Sequence, residues 1–346
     1  MEAKPIVTSH GNQLVFSSLV KPLLEDLPKE PAEWKRSYGR PARNVHLEAS
    51  FVPYDDDILP DDSVKTLVSR LYFHVYWTDC DLEGYKNTVK EEITEWQNAL
   101  KNKNIPDWMI VVVHSDENKM KTKLLPRSSV YDKIKSDFGG KQPERIVVLE
   151  LHREDRKGGE LWQGFLSRLR QLLLQAFTRH LQKYEDNMRA QREKRNDIGW
   201  NFQNYFIVQE ELGFMFEMLG LYDDALIQYD ELDALFTQFV VNHASGQAVP
   251  WLRTLVEPCK SWAGLCLQKP ISWEKRNLIK DNAVSLLELR NYLFTRQCAL
   301  LLLVKRPAEI VQRAIDYLHE TVQEMKVLEV SLNREPYTTC IRQSRK

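Results

Sequence analysis

The residues best placed by type and spacing to do chemistry follow three apolar runs. Asp79-Cys80-Asp81 comes after Leu71–Trp77, His114 and Asp116 close the run that starts at Asp107, and Glu150, His152 and Glu154 close the run from Arg145. If these runs are parallel strands, their carboxyl ends lie together, where open sheets bind ligands. Two carboxylates in Asp-x-Asp spacing could hold Mg²⁺ for phosphoryl or glycosyl transfer, with His114 as base. That arrangement would describe a metal-dependent α/β enzyme using carboxylates at its strand ends. The more ordinary use of Asp and His after a strand is to cap helices and form turns, and so short a match arises often by chance. The sequence is therefore read as non-enzymatic, with no catalytic, metal or cofactor-binding residue assigned. Gly139-Gly140-Lys141 continues with Gln and opens no helix, which excludes a P-loop.

A second group, Lys119, Lys121, Lys123 and Arg127, could meet phosphate on lipid or nucleic acid. Asp116 and Glu117 lie beside it and no aromatic residue interleaves to stack on bases, so a solvated loop is expected and nucleic acid is not. Cys80, Cys259, Cys266, Cys298 and Cys340 are odd in number and contain no Cys-x-x-Cys pair, which speaks for a reducing compartment without a zinc site or disulfide framework. The start, Met1–His10, lacks the pattern of a secretory signal. The longest wholly apolar run, Cys298–Val304, is seven residues, against the roughly 20 that a spanning helix needs. Any membrane association is expected to be peripheral.

The elements that must position these residues fall into two halves. Leu71–Trp77, Asp107–His114 and Arg145–Leu151 have the apolar, β-branched character of buried strands. Between them, Asp81–Lys101 carries Tyr85, Val89, Trp96 and Leu100 at helical spacing, and a shorter helix capped by Ser128 or Ser129 runs to Phe138. A β-α-β-α-β order implies parallel strands joined by right-handed crossovers. Residues 1–153 are thus expected to form an α/β domain with a small, mostly parallel sheet. Gln13–Val20 and Val45–Tyr54 read as further strands, around a Pro-rich connector from Pro28 to Pro41.

Residues 160–332 read as an all-α solenoid, with a long helix over 161–195, a helical hairpin over 207–237, and further helices over 249–267, 273–304 and 307–332. Residues 333–346 form an irregular tail. In the hairpin, Leu212, Gly213, Phe216, Gly220, Tyr222, Ala225 and Tyr229 match the tetratricopeptide pattern. The small residues admit a close helix crossing that Phe216 and Tyr229 fill, Leu219-Gly220 closes the first helix, and Asp223 is a candidate cap for the second. Thr237 stands where Pro is usual and the Leu-Gly phase does not recur, so one such hairpin is expected within a broader solenoid.

The overall charge of −1 hides an asymmetry. Residues 161–195 sum to +5, residues 196–252 contain no Lys or Arg and sum to −9, and residues 253–346 sum to +6. The acidic hairpin, with Asp223, Asp224, Asp230 and Glu231 as its candidate face, could dock a basic partner. Equally, it could offset the basic helix ahead of it.

Three segments carry a family resemblance: Ile271–Phe294, which opens Ile-Ser-Trp-Glu-Lys-Arg, Gly199–Phe206, and the hairpin from Glu210 to Asp233. They resemble the N-terminal part of the subunit 10 (Trs130-like) large subunits of the trafficking protein particle (TRAPP) II complex, over nearly the whole chain to about Leu332. The resemblance implies a cytoplasmic scaffold without cofactors in a complex that tethers vesicles and exchanges nucleotide on Rab-type GTPases, in ER-to-Golgi and intra-Golgi transport. The implied partners are other TRAPP subunits, small core and adaptor subunits and the other large subunit, with Rab-type GTPases engaged indirectly and the cis-Golgi membrane peripherally. Exchange chemistry in that family lies in the small subunits, so no catalytic residue is implied here. Family members continue through further solenoid into β-sandwich domains, so this chain is expected to be a short form, with an apolar face of helix 307–332 left open to self-association.

Overall fold

The structure is a computed structural model that describes residues 4–36, 41–55, 57, 72–114, 129–150, 156–258 and 271–330. The Lys119–Arg127 cluster, Asp116, His152, Glu154 and the tail 333–346 lie outside the described residues, as does the end of the segment 249–267. The chain has an α/β region built on a parallel sheet, followed by a helical region. It divides into two compact units, the first through Gln182 and the second holding most of the chain from Lys183 onward.

The first unit is built on strands β1 (Ile6–Gly11), β4 (Ser50–Pro53), β5 (Tyr72–Thr78), β6 (Trp108–His114) and β7 (Ile146–Glu150), all parallel in the order β4-β1-β5-β6-β7. Strands β2 (Ala32–Trp34) and β3 (Arg43–Val45) form a separate antiparallel pair. Successive side chains of a strand point to opposite faces, and both faces here are covered, which is why β5 and β6 read as unbroken apolar runs. Tyr76, Ile110, Val112 and Ile146 meet Ile93, Trp96 and Leu100 of α2 (Lys90–Asn102) and Ile134 of α3 (Val130–Phe138). On the other face, Trp77 packs against Phe16 of α1 (Gln13–Asp26) and Phe165 of α4 (Arg156–Glu193), with centroids 5.9 and 6.0 Å apart.

Gln13–Val20 is a helix and not the expected strand. Asn12 caps α1 by accepting from the amides of Leu14 and Val15, and the buried Val15, Phe16, Leu19 and Leu23 recur at helical spacing. Local side-chain capping wins over the β-branched content. The expected strand Val45–Tyr54 is instead the end of β3 and, after a break, β4, while Ala32–Trp34 within the Pro-rich connector forms β2. Ser129 supplies the α3 cap, in a capping box with Asp132.

The second unit contains the end of α4, then α5 (Phe202–Met218), α6 (Tyr222–Ala244), α7 (Trp273–Lys280), α8 (Leu286–Leu303) and α9 (Pro307–Val327). The expected helix 273–304 is two helices. Asn282 takes φ +55° after α7, and Ser285 opens α8 with a capping box to Glu288. The described part of the expected helix 249–267 is a 3₁₀ turn, Pro250–Leu255. Helix α9 is apolar on two sides: Tyr317 and Leu328 turn inward, whereas Val311, Ile315, Leu318 and Val322 are 67%, 68%, 61% and 49% exposed. Leu318 and Val322 thus belong to the outer side, away from Tyr317.

Candidate interaction surface

The carboxyl ends of the strands are the first place to look for chemistry. The strand order reverses at β1 and β5, and there the backbone closes on itself. Gly11 takes φ +79°, a Cβ on it would lie 2.3 Å from the Trp77 carbonyl, and the Asn12 amide donates to that carbonyl at 2.8 Å. Asn12 Nδ2 donates to Asp79 Oδ1 at 2.8 Å, while Asp81 Oδ1 accepts from the Gly84 amide at 2.8 Å and caps the turn that follows. The two carboxylates in metal-binding spacing thus serve as an acceptor for a loop amide and as a cap. His114 and Glu150 stand opposite each other at the ends of β6 and β7. Among the described residues, no three His, Cys, Asp or Glu side chains converge as a metal cage would require.

The helical hairpin is built as a close crossing. A Cβ on Gly213 would meet the Tyr229 ring at 3.4 Å, and Leu212, Phe216, Ala225 and Tyr229 are buried. Gly220 takes φ +69° at the turn, and the Leu221 amide bonds the Phe216 carbonyl at 2.9 Å. The cap position of α6 is Leu221, with no side-chain bond. Asp223 instead sits in the first turn with Asp224, beside Tyr222, where negative charge suits the helix dipole. Replacing Gly213 by Ala is expected to hold or raise stability by up to about 1 kcal/mol, since helix propensity improves and the new contact is at the edge of ordinary packing. Gly213→Leu is expected to cost about 1–3 kcal/mol by overpacking against Tyr229; urea unfolding of both variants checks the pair.

What composition alone did not reveal is where the acidic block spends its charge. Glu210 is fully buried, accepts from Arg276 Nε at 2.7 Å and from the Tyr292 hydroxyl at 2.5 Å, and Arg276 also pairs with Glu211. Arg296, 1% exposed, pairs with Glu217 and donates to the Tyr229 hydroxyl at 2.9 Å. Arg290 pairs with Asp233 and Glu324, and Arg313 with Asp230 through two bonds, one of 3.0 Å. Burial holds the Tyr229 and Tyr292 hydroxyls well above the ordinary phenol range, so both remain donors.

Three of the four carboxylates of the candidate face sit in the same pattern. Asp223 pairs with Arg306 at 3.3 Å, Asp230 with Arg313, and Glu231 with Arg192 at 3.4 Å, while Glu231 also accepts from Gln209 Nε2 at 3.0 Å. Asp224 lies one turn before Gln228, whose amide donates to its carbonyl. The face is therefore a strip of partly exposed ion pairs. Among these pairs, Arg192 comes from the basic helix ahead of the hairpin, whereas Arg313 lies on α9 and Arg306 caps its start. The sequence signal that could have found them is Arg276, Arg290, Arg296, Arg306 and Arg313, set at intervals along helices that follow a block with no base of its own.

Comparison with known proteins bears on the whole chain. A family model described as "Trafficking protein particle complex subunit 10-like, N-terminal" matches residues 1–195. Over 335 residues, 96% of this chain, it is 52% identical to "Trafficking protein particle complex subunit 10" of Mus musculus and 51% identical to that of Homo sapiens. The Drosophila melanogaster protein of the same name is 37% identical over 334 residues, 95% of this chain. The chain spans 27% of the length of the two mammalian relatives and 29% of the insect one.

Proposed function

The chain belongs to the trafficking protein particle complex subunit 10-like family, and on that premise we propose that it is a non-catalytic scaffold subunit of a vesicle-tethering complex that promotes nucleotide exchange on Rab-type GTPases. The observation that carries this reading is similarity running through both the α/β region and the helical region, over 96% of the chain. In this role the chain contacts other subunits of the complex and meets Rab-type GTPases only through them. It works in the cytoplasm and peripherally at the cis-Golgi, in ER-to-Golgi and intra-Golgi transport. No described helix is long and apolar enough to cross a membrane.

Affinity purification of residues 1–346 from cells, with mass spectrometry, tests the proposal. Small subunits of the trafficking protein particle complex are expected to co-purify in stoichiometric amounts; a folded chain that recovers none of them overturns it. The acidic strip supplies a finer test. If Asp223, Asp224, Asp230 and Glu231 form the contact, changing all four to Ser weakens subunit binding and flattens its salt dependence. Unchanged binding would move the contact elsewhere on the scaffold.

A further inference from the structure

Helix α9 carries a second apolar stripe that the helical unit does not use. Its packing side is fixed: Glu324 pairs with Arg290, Arg313 with Asp230, and the Tyr317 ring stacks on Phe294 with centroids 4.4 Å apart. Away from that side Val311, Ile315, Leu318 and Val322 are exposed. Ala308, also exposed, and Met325, half-buried, extend the stripe at its two ends.

The spacing of the stripe dictates the shape that would cover it. From Ala308 to Met325 the steps are three, four, three, four and three residues, which is the a/d alternation of a heptad. The next position round the helix is held by Gln312, His319 and Lys326, all exposed and polar. The stripe is therefore two residues wide. A helix face that lies on a sheet or in a bilayer surface is broader, whereas a seam this narrow fits one further helix, packed knobs into holes. At about 1.5 Å per residue the seam is about 27 Å long, or about two and a half heptads. That is short for a coiled coil of free peptides, but α9 is already held by its packing side, so the helix needs no ordering on association.

The seam matches itself. Run antiparallel about a twofold axis midway between Asp316 and Tyr317, it sets Ile315 against Leu318, Val311 against Val322 and Ala308 against Met325 of the second copy. Bulk is balanced in every pair, the smallest side chain facing the longest. At the centre the flanks bring Gln312 to His319, so no like-charged pair opposes the approach, and antiparallel helix dipoles favour it. A parallel pair would instead set Ala308 on Ala308 and Met325 on Met325, leaving a gap at one end and crowding at the other.

We propose that α9 pairs with α9 of a second copy of this chain, as an antiparallel two-helix seam that makes a closed, twofold-symmetric dimer. Two helices in contact over this length remove roughly 1,000 Å² from water, the lower end for a specific interface, so the dimer is of micromolar strength. The inference is independent of which complex the chain joins.

Sedimentation equilibrium of the full chain, at concentrations up to about 100 µM, tests it. A monomer–dimer equilibrium is expected. Ile315→Lys and Leu318→Glu, each on an exposed side chain, should leave melting unchanged and weaken dimerisation by about tenfold or more. An equimolar mixture of the two variants should associate about tenfold more tightly than either alone, because the antiparallel register sets the new Lys against the new Glu and a parallel one does not. A chain that stays monomeric, association that continues beyond a dimer, a dimer indifferent to both substitutions, or a mixture no tighter than its parts would overturn the proposal. If the chain stays monomeric and Ile315→Lys strips co-purifying proteins from it, the seam belongs to a helix of another protein and the self-pairing is overturned.

Discussion

Arg290→Met is expected to destabilise the helical unit by about 3–5 kcal/mol, because it leaves the buried Glu324 carboxylate without its counter-charge. Arg290 is 3% exposed and Glu324 4%. Its Nε donates to Glu324 at 2.6 Å, a second nitrogen pairs with Glu324, Nη1 pairs with Asp233 and Nη2 donates to Thr237 Oγ1 at 3.0 Å. The guanidinium also lies 5.0 Å from the centre of the Phe236 ring. One side chain thus joins α6, α8 and α9, and lysine cannot reproduce the fork; Arg290→Lys is expected to recover less than half of the loss. Combining Arg290→Met with Glu324→Leu removes the stranded charge and is expected to regain more than half. Urea unfolding at pH 7.5 reads all three, and a loss under about 1 kcal/mol for Arg290→Met would show that the pairing carries no stability. By contrast, Asp223→Ser breaks an exposed pair with Arg306 and should cost less than about 1 kcal/mol.

The contrast between these two pairs explains what was legible beforehand. The parallel core strands were readable because burial on both faces forces long β-branched runs such as Trp108–Val113. The two helices of the hairpin were readable from their apolar spacing, with Gly220 at positive φ marking the turn between them. Strand β1 was not, since its central Thr8 and Ser9 are polar yet buried, and their place is set by partners far along the chain. Helix α1 was misread because its deciding feature is the Asn12 cap, one residue ahead of the apolar pattern. The arginine network was invisible for the same reason as β1: a charge sum records that acid and base are separated in sequence, and only the fold shows that Arg276, Arg290 and Arg296 bring them together. The strand-end carboxylates were legible as residues, while their use by Asn12 and Gly84 was a matter of local geometry.

The polar interior of the first unit has a measurable consequence in acid. His74 on β5 is fully buried beside Thr8 on β1, its register partner, with Nδ1 2.7 Å from Thr8 Oγ1. Burial pushes its pKa down from the ordinary 6.5 to about 3. In the unfolded chain the ring takes a proton near pH 6.5, while in the folded chain it stays neutral until about pH 3, so the unfolded state binds more protons between these limits. The His74 contribution is therefore fully present above pH 6.5 and is lost as pH falls toward 3. One unit of pKa difference corresponds to about 1.4 kcal/mol, which gives a loss of about 2 kcal/mol by pH 5 and roughly 5 kcal/mol in full. Asp132 and Asp137 are held below the ordinary carboxylate range by Ser129 and by Lys90 with Tyr85, so their protonation falls at lower pH, whereas burial raises Glu217, Glu320 and Glu324 of the helical unit, whose protonation as pH falls works in the opposite direction. Urea midpoints measured across the interval from pH 6.5 to about 5 should fall steadily in the native chain. In His74→Gln they should start lower, from the altered packing and Thr8 bond, and the fall between pH 6.5 and 5 should be smaller than in the native chain by about 2 kcal/mol. An unchanged slope would place the acid sensitivity on another group and mean that folding leaves the proton affinity of His74 unshifted.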